Sequence, residues 1–264
     1  MSKVTKAMFM GLVILILSTS AYGKDDPAAS GDWEFTLAPL YLWAVKMDGN
    51  MTVRGRTQSL KLDFDEIFDK LEAAYTVHFE GFYKKKWGFL FDLSYVNIGD
   101  SITTPGPRAA TINVDFVDTL IELGAIYRFY HKGRHMFEGL GGVRYTDLDT
   151  DIDTVGGPGP LPVPPKIEAN QDWLDLIIGL RYKWQISEKW MLSLRGDIGG
   201  FGIGDASDFT WNAISLIHWK PWKHVGFLGG YRALYQDYET GSGINVFKYD
   251  MLMHGPILAV KFTW

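Results

Sequence analysis

The last fourteen residues, MLMHGPILAVKFTW, alternate in character along their length. Successive side chains of an extended strand point to opposite faces. Leu252, His254, Pro256, Leu258, Val260, Phe262 and Trp264 therefore share one side, and Lys261 and Thr263 lie on the other. A strand that is apolar along one whole face and closes on an aromatic needs an extended apolar surround on that side. The same period recurs upstream, and ten strands are read: Trp33 to Lys46, Ala73 to Lys84, Trp87 to Ile98, Ile112 to Phe129, His135 to Leu148, Asp172 to Trp184, Trp190 to Phe201, Phe209 to Trp219, Val225 to Tyr238 and Met251 to Trp264. Many are longer than the usual strand of a soluble protein.

The joins between them alternate in length. Short polar joins fall at Lys85-Lys86, at 131–134, at 187–189 and around Pro221-Trp222-Lys223, and long or glycine-rich ones at 99–111, 149–171, 202–208 and 239–250. This is the pattern of a transmembrane β-barrel with tight turns at one end and extended loops at the other. The proline- and glycine-rich stretch 149–171 is expected to be a surface loop without a ladder. The amino terminus agrees. Lys3 and Lys6 precede an apolar run from Ala7 to Leu17, and Ala21-Tyr22-Gly23 is a small-x-small cleavage pattern, so residues 1–23 read as a secretory signal removed after Gly23. The mature portion, 24–264, then carries a charge of −7, which argues against a nucleic-acid binder. Aromatics make up 15% of the chain, with ten tryptophans, and suit belts at two membrane interfaces. The absence of cysteine fits an exported barrel, which closes by hydrogen bonds.

The segment Met47 to Glu72 is open to more than one construction. Asp48-Gly49-Asn50 reads as a hairpin turn, with Met51 to Arg56 and Ser59 to Phe64 flanking strand material. Phe64, Ile67, Phe68 and Leu71 fall at helical spacing behind a capping box formed by Asp63 and Glu66, which predicts a short amphipathic helix near 64–71. An outward loop with a rim-packed helix is the favoured reading, and a helix folded into the lumen is the alternative. The total is about ten strands, with eight to twelve depending on this segment.

Placing the aromatic-rich side of each strand outward puts a set of charges inside. His78, Glu80, Asp92, Asp118, Glu122, Glu138, Arg144, Asp175, Arg181, Arg195, Asp197, Arg232 and Lys261 all fall opposite an apolar face. A ten-stranded barrel is narrow, so these groups are expected to pair across the lumen. The plain reading is an ion network that holds the barrel closed. The alternatives are a narrow gated pore for small solutes and, through His78 with Glu80 and Asp92, an acid/base centre of a rim hydrolase. No nucleophile elbow and no metal-ligand spacing accompanies that centre, so no catalytic residue, metal or cofactor is assigned. Arg195-Gly196-Asp197 reads as an internal ion pair rather than an adhesion signal. Gly199, Gly200, Gly202 and Gly204 read as a bend that relieves barrel curvature.

Several strings carry a resemblance. RGDIGGFG from Arg195, GYRALYQDY from Gly230, GVRYTDLD from Gly142 and the long stretch from Phe64 to Val96 resemble a family of bacterial outer-membrane β-barrel proteins of unassigned function. The resemblance implies a single barrel in the cell outer membrane and supplies no reaction. It leads to the expectation of a non-enzymatic outer-membrane barrel. Its partners would be outer-membrane lipid and the machinery that assembles such barrels, reached through the strand ending at Trp264.

Overall fold

Period-two alternation with an apolar outer face builds a sheet that closes on itself. The computed structural model describes residues 31–53, 55–103, 111–155 and 167–264. The expected signal segment and the proline-rich tip at 156–166 lie outside the described residues. The strands are β1 (Trp33–Trp43), β2 (Lys46–Val53), β3 (Arg56–Leu62), β4 (Leu71–Tyr83), β5 (Trp87–Thr103), β6 (Thr111–Lys132), β7 (His135–Val155), β8 (Ile167–Gln185), β9 (Trp190–Gly200), β10 (Phe209–Trp219), β11 (Val225–Thr240) and β12 (Phe247–Thr263), with one α-helix, α1 (Phe64–Asp69). Each strand from β4 to β12 pairs antiparallel with the next, β1 pairs with β4, and β12 returns to β1. Ten strands thus close a barrel. Reciprocal backbone bonds between Phe35 and Trp264, at 2.9 and 3.1 Å, seal the last register.

The hairpin β2–β3 adds two strands to the loop end of β12, and proline and glycine explain why. β1 bulges between Leu37 and Leu40, where Pro39 has no N–H to donate, and its pairing with β4 stops at Ala38 opposite His78. Beyond that point Thr76 Oγ1 accepts from Tyr41 N at 3.0 Å and donates back to the Tyr41 carbonyl, so a side chain replaces the ladder. The chain then kinks at Ala44-Val45 opposite Gly255-Pro256. Pro256 accepts from Ala44 N at 2.9 Å, and its missing donor faces the break. β2 resumes on β12 from Lys46 opposite His254 to Val53 opposite Phe247.

The hairpin turn is therefore not at Asp48-Gly49-Asn50, which lies inside β2. Gly49 sits opposite Met251, where a Cβ would collide with the Asp250 carbonyl, so this glycine serves close strand approach. The reversal comes instead at Gly55, whose φ is +74°. Helix α1 is capped as expected, Glu66 accepting from Asp63 N at 3.1 Å, and is shorter than the spacing implied. Ile67 alone of its apolar residues is buried, reaching the lumenal core, while Phe68 remains exposed. The helix is thus a rim element with one side chain inside.

Strands β5 to β8 run further than the sequence reading placed them. Ladder pairs continue from Gly99 opposite Asp115 to Thr103 opposite Thr111, and from Asp149 opposite Asn170 to Ile152 opposite Ile167. The five prolines of the second segment all lie between 158 and 165, so its flanks keep their donors and pair. Similarly, Gly200, Gly202 and Gly204 do not relieve curvature. Their φ values of +82°, +60° and +66° make the tight β9–β10 loop.

The exterior is banded. One belt circles the end that carries the short turns, with Trp33 stacked on Phe35, Trp87 against Tyr127 at 4.4 Å, and Trp190 stacked on Trp219. A second is marked by Tyr75 with Tyr95 and Trp211 with Tyr235. Leu123, Leu174, Leu176, Leu180 and Leu258 lie exposed on the outer wall. Eight residues of β4 separate Tyr75 from Tyr83. At about 3.3 Å per residue and a tilt near 40°, the belts stand roughly 20 Å apart, close to the apolar height of a membrane barrel. Among the described residues no helix is long and apolar enough to cross a membrane.

Candidate functional site in the barrel lumen

Alternation places all thirteen inward candidates on the inner wall, and the fold sorts them into tiers. The middle tier centres on Glu122, which accepts from Arg144 Nε at 3.0 Å, Arg195 Nη2 at 2.8 Å and Arg232 Nη2 at 2.8 Å. Asp197 takes Arg144 Nη2 at 2.7 Å and Asn212 Nδ2 at 2.8 Å. Arg195 Nε lies 2.9 Å from Asp197 as an ion pair without hydrogen-bond alignment. Arg232 also donates to Asn212 Oδ1 at 3.0 Å and lies over the Trp43 ring at 4.8 Å. Asp92 completes the tier, accepting from Tyr41 Oη at 2.5 Å, next to His78 Nδ1 at 2.9 Å and Arg232 at 3.8 Å. Charge-assisted bonds of this kind satisfy buried ions that would otherwise be prohibitively desolvated.

The lower tier lies nearer the short turns. Arg181 spans Glu80, at 2.6 and 3.2 Å, and Glu138, at 2.7 Å. Arg128 joins Glu138 at 2.8 Å, and Lys183 stands 3.3 Å from Glu80 and 3.6 Å from Glu138. Arg128 and Lys183 were missing from the sequence-derived set, although both follow from alternation, two residues beyond Ile126 and Arg181. Tyr41, Asn212 and His218 also belong to the lumen and were not anticipated.

Three of the thirteen stand apart from carboxylate–base pairing. Among the described residues Lys261 forms no ion pair with an acid. Its Nζ sits 3.0 Å from His218 Nδ1. Asp175 is bonded by the β9–β10 loop through Ser207 N at 2.7 Å and Ser207 Oγ at 2.9 Å. Asp118 lies between Val96 and Leu148 in the ladder, and its Oδ1 has no hydrogen-bond partner among the described residues. The reason for both acids is height: the lumen above the middle tier is lined chiefly by apolar side chains, with the neutral pair Gln236 and Thr146 bonded to each other at 2.8 Å. Trp173 stacks on Tyr238 at 4.3 Å and touches Tyr249, and Met47, Met51, Met251, Met253, Leu148, Leu234 and Ile67 fill the remaining section. The lumen is thus occupied twice, by an ion lattice and by a hydrophobic plug above it.

Toward the end bearing the short turns lies a cavity of about 130 Å³, bounded by the middle tier through Asp92, Arg195 and Arg232 and lined further by His78, Glu80, Arg181, Lys183, His218 and Lys261. The acid/base candidate His78 faces this cavity and lies far from the loop-end rim. Its Nδ1 faces Asp92 and its Nε2 lies 3.8 Å from Glu80. Among the described residues no group of three or more His, Cys, Asp or Glu side chains is placed to hold a metal ion.

No protein-family model matches the chain, and no curated protein matches it in sequence. Its fold is similar to that of the outer-membrane protease OmpT from Escherichia coli, with a TM-score of 0.53 at 9% identity over 88% of this chain and 96% of that one. Weaker similarity extends to the translocator domain of the autotransporter NalP from Neisseria meningitidis, with a TM-score of 0.44 at 12% identity over 98% and 96%. At these identities the likeness describes the barrel architecture alone.

Proposed function

We propose that this protein is an integral outer-membrane β-barrel without a through-channel and without a catalytic centre, whose lumen is built for closure. The observation that carries this reading is the double filling of the lumen. A pore needs a continuous wet path, and here a densely paired ion lattice is stacked against an apolar core centred on Trp173. The belts and the outer leucines supply the match to lipid, so the protein partners are outer-membrane lipid and, during insertion, the assembly machinery that would engage the strand ending at Trp264. Export through cleavage after Gly23 and kinship with outer-membrane barrels of unassigned function, carried by the RGDIGGFG and GYRALYQDY strings, belong to the same proposal. The end with the short turns then faces the periplasm, and the extended β5–β8 ladders project outside.

The hydrolase reading is not favoured, because His78 is committed to Asp92 and opens on the periplasmic cavity instead of the outer rim. Planar-bilayer recording of the refolded barrel tests the proposal. Insertion without conductance steps is expected. Reproducible ohmic steps from the wild-type protein would refute closure.

A further inference from the structure

We propose that the periplasm-facing cavity is a binding site for a small tetrahedral oxyanion, held by Lys261, His218 and Lys183. The orientation rests on the reading above. The binding chemistry does not.

The first ground is an unfilled set of donors. An ammonium can only donate, so in the Lys261–His218 contact at 3.0 Å the histidine Nδ1 accepts, and the ring proton resides on Nε2. That Nε2 is buried and has no partner among the described residues. The contact also accounts for a single proton of Lys261. The great majority of buried donors in proteins are satisfied, and leaving one bare is destabilising. A group with several acceptor oxygens would satisfy both residues at once.

The second ground is charge. Lys261 has no carboxylate within ion-pairing distance among the described residues. Of the two acids on the cavity wall, Glu80 is already taken by both Nη atoms of Arg181 and approached by Lys183, and Asp92 accepts from Tyr41 and lies beside His78. Counting tier by tier, Arg128, Arg181, Lys183 and Lys261 face Glu80 and Glu138 in the lower lumen, an excess of two positive charges, and Glu34 and Lys220, which also act on Lys261, are of opposite sign to each other. The middle tier is balanced by Glu122, Asp92 and Asp197 against Arg144, Arg195 and Arg232. The two acids without a basic partner, Asp118 and Asp175, lie on the far side of it. A neutral solute would answer the donors and leave that excess standing, and a cation would be repelled by it.

The third ground is shape. At about 130 Å³ the cavity admits a compact ion, and Ile214, Leu216 and Ile257 make part of its lining apolar. Two ammonium groups and an imidazole bind as separate point donors, which suits a tetrahedral ion better than a planar carboxylate recognised by a guanidinium fork.

Inorganic phosphate is the probe. Titration calorimetry of the refolded full barrel in a chloride-free buffer of fixed ionic strength should give a saturable isotherm of about one ion per chain. Lys261→Met should weaken it tenfold or more, His218→Phe should weaken it likewise, and the exposed substitution Lys248→Gln should leave it unchanged. Heats that fail to saturate in the wild type, or equal affinity in Lys261→Met, would overturn the site. If Lys261→Met does not fold, Lys183→Gln and His218→Phe decide the matter. A silent bilayer with no phosphate binding would leave the closed-barrel reading standing and remove only this one.

Discussion

Glu122→Gln is the most exacting perturbation of the lumen. Its carboxylate is 1% exposed and receives three guanidinium bonds, at 3.0, 2.8 and 2.8 Å. The amide keeps the volume and one acceptor oxygen, so the change is electrostatic. Of the three arginines, Arg144 and Arg195 retain Asp197, whereas Arg232 keeps only Asn212, a long contact to Tyr41 at 3.4 Å and Asp92 at 3.8 Å. Removing one partner of a buried pair costs roughly 3–5 kcal/mol because the stranded ion cannot rehydrate. The exposed pair Lys248–Glu239 is just as short, at 2.7 Å, yet its side chains are 48% and 43% exposed. Glu239→Gln should therefore cost at most about 1 kcal/mol. Denaturant unfolding in lipid vesicles, followed by tryptophan emission and heat-modified gel mobility, reads both. Adding Arg232→Met to Glu122→Gln restores the charge balance and should recover part of the loss, short of all of it because the arginine also packs on Trp43. A Glu122→Gln cost within 1 kcal/mol of wild type would refute the reasoning, since it would mean the lumen is wet and its charges are screened.

A second test concerns backbone approach across the wall. A Cβ at Gly142 would be driven into the Leu123 carbonyl and Gly124 Cα, while one at Gly196 meets nothing within 4 Å, so Gly142→Ala should impair refolding yield severely and Gly196→Ala should not, as scored by the fraction of heat-modifiable protein. The third concerns the hairpin at the loop end. Lys46 Nζ, 2.8 Å from Asp63, holds that carboxyl below its ordinary value through a hydrogen bond and its charge. A depressed acid stabilises above its unfolded pKa and loses that contribution as pH falls through the lowered folded value. Amide exchange in β2–β3 should thus quicken, once corrected for intrinsic rates, only below about pH 4, with Asp63→Asn abolishing the dependence.

The alternation was enough to read ten crossings and to put thirteen charges on one wall, because a period of two leaves a single choice of face once the outer leucines and tryptophans are assigned. Where the backbone leaves that period, the reading fails. Strict alternation from Trp33 would send Tyr41 outward. The bulge at Pro39 inverts the phase, so Tyr41 turns inward to Asp92 while Leu40 and Leu42 face out. Pro39, Gly255 and Pro256 were visible signals for this, but only the paired geometry shows which strand yields. Strand ends at the loop end were cut short because polar residues such as Asp149, Thr150 and Asp151 look like loop when nothing marks them as ladder partners of 168–170. Which inward ions meet was not legible, since Glu80 and Arg181 lie 101 residues apart in the chain.

The vertical order of the lumen gives those pairings a consequence. Acids without bases sit toward the loop end, balanced ions in the middle, and uncompensated bases toward the short turns. Neither Asp118 nor Asp175 neutralises Lys261, because a ladder position beside Val96 and Leu148 holds the one, and the Ser207 loop the other, above the balanced tier. The separation follows from packing: filling the outer half with Trp173, Tyr238, Tyr249 and four methionines leaves room for guanidinium groups only below. A barrel plugged in this way presents its unpaired lysine at the end with the short turns. The anion binding proposed at Lys261 would then belong to the closed form, because an open pore would dissipate that asymmetry into solvent on both sides.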